Sequence, residues 1–194
     1  EGLITTDEAI LQVEPKQLDS LLHPYFDEKD LKAHKPIGKG LPASPGAATG
    51  QIVLSQEKAA AWAKEGKQVI LVRLETSAED VEGMHVSEGI LTARGGMTSH
   101  AAVVARGMGT TCVAGCPDLI FHGDNEIVIG ETVLHEGDWL SLNGSTGEVY
   151  NGQIATVPAT IEGDFATFME WVDKRRRMKV MMNAETKADI ARGI

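Results

Sequence analysis

The chain has 194 residues, is 42% hydrophobic and carries a formal net charge of -10 at pH 7. That length suits one domain of ordinary size plus flanking pieces, and the acidic balance argues against a nucleic-acid partner. No apolar run approaches the roughly 18 residues of a membrane span, no signal peptide is visible, and the two cysteines, Cys112 and Cys116, are too few for a disulfide scaffold and point to a reducing compartment. The chain begins with Glu1 rather than Met and ends as a new pattern starts, so it reads as a piece of a longer protein.

In chain order, residues 5–22 predict a helix, with Asp7 and Glu8 near its start and an apolar stripe of Ile10, Leu11, Leu18, Leu21 and Leu22. His23-Pro24 ends it, and the charged stretch 27–35 reads as a linker. The compact domain is expected to open near Ile37, with a turn-rich passage over 41–46. A strand follows over 47–54, then a helix over 56–64 ended by Gly66, then a short buried strand over 69–72. Residues 77–83 predict a capped turn or short helix, with Ser77 as cap and Asp80 three residues on. Strands are predicted over 90–93 and 112–114. Two hairpins follow, 126–129 with 132–134 and 139–142 with 148–150. A helix is predicted over 163–179, with Phe165, Phe168, Met169 and Val172 on one face. Residues 180–184 read as the first strand of another domain.

Between the strands at 90–93 and 112–114 lies Gly95-Gly96-Met97-Thr98-Ser99-His100, followed by small apolar residues at helical spacing through Gly107. This places an imidazole at a helix N-terminus, where unpaired backbone N–H groups can hold an anion beside the ring. Phosphoryl transfer needs a nucleophile and compensation for the phosphoryl oxygens. The positive end of a helix disfavours an imidazolium and favours a phosphorylated ring, by roughly 0.3–1 kcal/mol when exposed and up to ~2 when partly buried. Gly95 and Gly96 let backbone approach a phosphate. Thr98 and Ser99 can cap the helix and donate hydroxyl hydrogen bonds. Gly107 is the expected stop. Arg94, just before the glycines, has the guanidinium geometry that suits phosphate. Arg106 is explained by dipole complementarity at the helix C-terminus.

The whole loop closely resembles the phosphohistidine loop of the enzymes that use phosphoenolpyruvate, and within that group it is most similar to the pyruvate phosphate dikinase family, which reads Gly-Gly-Met-Thr-Ser-His as residues 95–100 do. The synthase of that group is disfavoured by Met97 and Ser99. Further resemblance runs through Leu41-Pro42-Ala43-Ser44-Pro45-Gly46, Leu71-Val72-Arg73-Leu74-Glu75-Thr76-Ser77 and Gly144-Ser145-Thr146-Gly147. It implies an α/β fold, a swivelling β/β/α phosphohistidine domain flanked by linker helices. It implies a helical linker over 1–36, the swivelling domain over 37–155, a linker helix over 156–179 and the start of a phosphoenolpyruvate/pyruvate-binding barrel over 180–194.

The resemblance also implies the chemistry. His100 takes a pyrophosphoryl group from ATP, phosphate accepts the outer phosphoryl, and the remaining phosphohistidine phosphorylates pyruvate enolate. The sum is ATP, phosphate and pyruvate to AMP, pyrophosphate and phosphoenolpyruvate. Gly95, Gly96, Thr98 and Ser99 would form the anion cradle, with Arg94 beside it. The implied partners are an ATP-grasp domain and the barrel of the same chain, in a homodimer, and the implied cofactor is Mg²⁺ with ligands outside this piece. Thr98 is a candidate for regulatory phosphorylation by a kinase/phosphatase, since about -1.5 to -2 charge beside the ring would repel a phosphoryl donor. The compartment would be cytoplasm, plastid or glycosome. On this reading the piece alone does not catalyse the net reaction. A non-catalytic carrier or interaction module is the reading from a different class.

The remaining candidates are weaker. His23, His34, His85, His122 and His135 have no consistent metal spacing. Cys112 and Cys116 read as structural thiols, although a reagent on Cys112 would sit close to the loop. Lys174-Arg175-Arg176-Arg177 reads as a solvated helix end.

Overall fold

The computed structural model describes residues 4–15, 18, 21–159 and 163–179. The chain divides into two compact units, one within Pro15–Thr160 and a second formed by parts of Glu1–Glu14 and Ile161–Ile194.

In the larger unit the strands are β1 (Tyr25–Phe26), β2 (Pro36–Lys39), β3 (Leu41–Ser44), β4 (Ala47–Val53), β5 (Val69–Arg73), β6 (Gly89–Thr92), β7 (Thr111–Ala114), β8 (Leu119–His122), β9 (Glu126–Ile129), β10 (Thr132–His135), β11 (Trp139–Asn143), β12 (Glu148–Asn151) and β13 (Thr156–Val157). Eight of them form one mixed sheet in the order β2-β12-β11-β4-β5-β6-β7-β3, and β8, β9 and β10 form a separate antiparallel sheet. The centre of the large sheet, β4 to β7, is parallel. Parallel neighbours need crossovers. The helical connections here include Gln56–Lys64, the single turn Ala78–Asp80 running into Val81–Val86, and His100–Met108.

Strands covered on both faces read as continuous apolar runs, and alternate residues feed opposite layers. Along β5, Ile70 and Val72 pack with Ile127, Ile129 and Leu134 of the small sheet. Val69 and Leu71 pack with Ala59, Met84, Ala101, Ala102 and Ala105 of the helices. The result is three layers, β/β/α, as the resemblance implies. The strand over 47–54, the helix over 56–64 and both hairpins form within a residue of expectation.

Several elements differ from the expected ones. The helix over 5–22 is α1 (Thr6–Gln12), capped by Thr5, with its C-cap at Val13. Pro15 follows, and a proline disfavours helical backbone in the residue before it. Residues 15, 18 and 21 are helical again, and the rest of 16–20 lies outside the described residues. The expected linker at 27–35 contains α2 (Glu28–Ala33), capped by Asp27 accepting from the amides of Lys29 and Asp30. The turn-rich passage at 41–46 contains β3, an irregular antiparallel partner of β7 at the sheet edge. An edge strand tolerates Pro42 because it need not supply every N–H. Strand β8 had no expectation attached to it. The strand over 180–184 lies outside the described residues.

The larger unit also extends past both ends of 37–155. β1 pairs antiparallel with β13, and Phe26 is buried with Ala47, Tyr150 and Ile154. In the smaller unit, α1 lies against a helix over Asp164–Arg175, and Arg175 Nε donates to Asp7 Oδ1 at 2.5 Å.

Candidate functional site

The site begins where β6 leaves the sheet. The amides of Ala93 and Arg94 donate to the carbonyls of Arg73 and Leu74 (3.1 and 2.8 Å), so the ends of β5 and β6 leave together. The chain turns at Gly95, whose φ of +116° suits glycine and few other residues. A Cβ there would stand 2.9 Å from Cβ of Ser99. Gly96 faces open space.

The helix His100–Met108 starts at this loop. Ser99 is its N-cap, with Oγ accepting from the amide of Ala102 (3.4 Å), and the amide of Val103 donates to the Ser99 carbonyl (3.0 Å). The first amides of a helix have no partner within it. Those of Ala102 and Val103 are satisfied by Ser99. Ala101, Ala102 and Ala105 are buried, so small side chains let the helix lie close on the sheet. The helix ends at Gly109 in left-handed conformation (φ +71°) and not at Gly107, which lies within it.

His100 is partly exposed. Its Nδ1 lies 3.0 Å from Oγ1 of Thr76, which sits beyond β5 and is 9% exposed. One ring nitrogen, Nδ1, is thereby engaged by a nearly buried hydroxyl. Thr76 lies inside the stretch 71–77 already noted as part of the resemblance, yet a lone threonine 24 positions away gave no separate signal of touching the histidine.

Of the expected cradle residues, Ser99 caps the helix and Gly95 makes the turn. Thr98 is exposed and outside the cap. Arg94 is exposed and lines a cleft with Leu74, Ala93, Pro117, Ile120 and Phe121; among the described residues no hydrogen bond or ion pair joins it to His100. Arg106 has more to do than dipole complementarity. A helical side chain leans toward the N-terminus, and its Nη2 donates to the Met97 carbonyl (2.7 Å) while Nη1 donates to the Ala43 carbonyl (3.3 Å). It ties the histidine loop to β3. Cys112 and Cys116 are both free and buried, and burial pushes the Cys112 thiol up to about 12. Among the described residues no three His, Cys, Asp or Glu side chains are grouped to hold a metal, and no helix is long and apolar enough to cross a membrane.

A β/β/α body with a histidine at the mouth of a helix defines a class, and sequence comparison agrees. Residues 65–147 match the family described as PEP-utilising enzyme, mobile domain. Within that class the likeness is to the dikinases. Over 190 residues, 97% of this chain, it is 55% identical to pyruvate, phosphate dikinase 1, chloroplastic, of Arabidopsis thaliana, covering 20% of that protein. It is 57% identical to pyruvate, phosphate dikinase 1, chloroplastic, of Oryza sativa subsp. japonica over the same 97%, covering 20%. It is 53% identical to pyruvate, phosphate dikinase of Clostridium symbiosum, again over 97%, covering 22%. The chain thus spans about a fifth of the length of the curated relatives it matches. The solution structure of Enzyme I (nEIt) is 22% identical, covers 56% of this chain and 36% of that one, and superposes with a TM-score of 0.32, too slight a likeness to carry weight.

Proposed function

We propose that this chain is the phosphoryl-carrying part of a pyruvate phosphate dikinase, and that His100 is the carrier. One observation supports it most: Nδ1 of a partly exposed His100 lies against the Thr76 hydroxyl at 3.0 Å, at the start of a helix. With the ring proton on Nδ1 and donated to Thr76, Nε2 keeps its lone pair. Nε2 then attacks the β-phosphorus of ATP. The Nε2–P bond forms, the bond to the bridging oxygen breaks, and AMP leaves with the electron pair. Phosphate next takes the outer phosphoryl, releasing pyrophosphate, and the phosphohistidine passes its group to pyruvate enolate. The free amides of His100 and Ala101 and the turn at Gly95 and Gly96 would face the phosphoryl oxygens. The Ser99 cap holds those amides in place, and Thr98, exposed two residues before His100, offers an accessible hydroxyl for regulation. Arg94 has the chemistry for a phosphate contact but faces a different cleft, so its role is the weakest part of the cradle.

ATP and pyruvate would be held by an ATP-grasp domain and a barrel elsewhere in the same protein, with residues 180–194 leading into the barrel and the flanking segments serving as linkers. Magnesium neutralises charge on phosphates under transfer. The described residues do not fit a magnesium site, and its ligands belong to the partner domains on this reading. The two buried free thiols fit a reducing compartment.

The test uses the full-length protein containing this chain, incubated with β-labelled ATP or labelled phosphoenolpyruvate. Acid-labile, base-stable label on His100 is expected, and it should vanish in His100→Ala. Undiminished label in that variant would refute the assignment.

A further inference from the structure

Asp80 carries a carboxylate that the transfer chemistry does not use. It is 2% exposed, and burial of a charge is costly unless the charge is paired and hydrogen-bonded. Its Oδ2 accepts from the amide and the hydroxyl of Ser77 (2.9 and 3.3 Å). Its Oδ1 lies 3.1 Å from Nε of Arg73, an ion pair whose N–H is not aligned on the oxygen as a hydrogen bond. The same guanidinium donates through Nη1 to the Leu54 carbonyl (2.9 Å). Asp80 therefore grips the chain three residues before Thr76 and one residue after it. The backbone of this segment is also sewn to the exit of β6 through Arg73 and Leu74.

We propose that Asp80 is a positioning residue for the histidine: by fixing the 73–77 segment it aims the Thr76 hydroxyl at Nδ1 of His100 and so selects the ring tautomer that leaves Nε2 free. A helix cap alone requires only the Ser77 contact. The Arg73 contact binds the other flank of the segment and has no part in capping. A threonine side chain has one rotatable bond, so its oxygen points where its backbone points. Small errors in that backbone become errors in the hydrogen bond, whose strength falls steeply with misalignment. The partner on one ring nitrogen decides which nitrogen carries the proton. The inference rests on His100 being the carrier.

The test uses this chain labelled with ¹⁵N-histidine and reads the His100 ring by two-bond ¹H–¹⁵N correlation at a pH where the ring is neutral. The Nδ1–H tautomer should dominate in the parent chain. Asp80→Asn keeps the shape and removes the charge; Arg73→Gln leaves the Ser77 contact and cuts the second tie together with the Leu54 bond, at a side chain that is 36% exposed, and guards against misfolding of the first. Both should give mixed tautomers with an otherwise preserved amide spectrum, and Thr76→Ser should keep the parent tautomer. Phosphoramidate supplies a phosphoryl group without partner domains. Phosphorylation at Nε2 should slow roughly 10-fold in Asp80→Asn, the lower end of what loss of an outer partner costs a ligating histidine, with the Nδ1 isomer appearing in ³¹P spectra. Folded variants with the parent tautomer and the parent rate would overturn the proposal. A tautomer that depends on Asp80, in a full-length protein that never carries label on His100, would leave the positioning intact and sink the carrier reading.

Discussion

Gly95 and Gly96 are adjacent and alike in sequence, and their surroundings separate them. Gly95 holds φ +116° with Ser99 where a Cβ would go, while Gly96 has ordinary φ and open space. Gly95→Ala should destabilise the larger unit by about 1–3 kcal/mol, the cost of a strained backbone conformation. Gly96→Ala should stay within about 0.5 kcal/mol, as surface substitutions do. Urea denaturation of the two variants distinguishes them, and equal losses would mean that the turn is not fixed as described. Cys112 behaves differently from what its position in sequence suggests. It follows the helix closely, but it is fully buried and its thiol is held neutral by desolvation, with only a partial offset from Arg106. The thiolate is the reactive form, so native chain at pH 8 should resist iodoacetamide at Cys112 and react once denatured. Mass spectrometry of the alkylated peptides reads both.

The helix His100–Met108 shows at the level of an element which signals the sequence displays and which it hides. Its start is legible, because Ser99 is a strong cap residue and the alanines behind it allow close packing. Its end is not, since two glycines compete and only backbone conformation chooses between them. Gly109 is left-handed and Gly107 is an exposed helical residue with nothing near its missing Cβ. Gly107→Ala should therefore stabilise, by about 0.5–1 kcal/mol, and Gly109→Ala should destabilise. Thermal melts of both settle the order, and the reverse order would restore the earlier stop. The same limit explains β3 and α2. Leu41-Pro42 carries turn residues, yet an antiparallel neighbour in β7 draws it into the sheet. Residues 28–33 bury no side chain, so no apolar stripe marked them, and only the Asp27 cap could have. The histidine was legible because a glycine turn, a cap and a small-residue helix adjoin it in sequence. Thr76 was not, because it reaches the ring from another strand end, and the tie that Arg106 makes to Met97 and Ala43 was not, because only the fold brings those carbonyls to it.

For the whole molecule, the chain's ways in and out of the large unit matter most. β1 and β13 lie side by side, with Tyr25 opposite Val157 and Phe26 opposite Thr156. The amide of Ala155 donates to Asp30 Oδ2 (2.7 Å) and that of Asp27 to the Ala155 carbonyl (2.9 Å). Phe26 meets Tyr150 edge-on at 6.1 Å between ring centroids. On the proposed carrier reading the larger unit has to move as one rigid piece, and a piece whose entry and exit strands are paired can move without pulling its sheet apart. Residues 21–159 should therefore fold by themselves, whereas 37–155 loses both short strands and the Phe26 side chain. Removal of a buried phenylalanine costs about 3–5 kcal/mol, a large share of the roughly 5–15 kcal/mol that holds a domain together. Denaturant titration of the two pieces should show a cooperative transition in both and a clearly lower midpoint for 37–155. If the midpoints coincide, the paired strands are a loose appendage, the rigid body is the shorter span, and the pivot for any swing lies inside 21–36 and 156–159 rather than outside them.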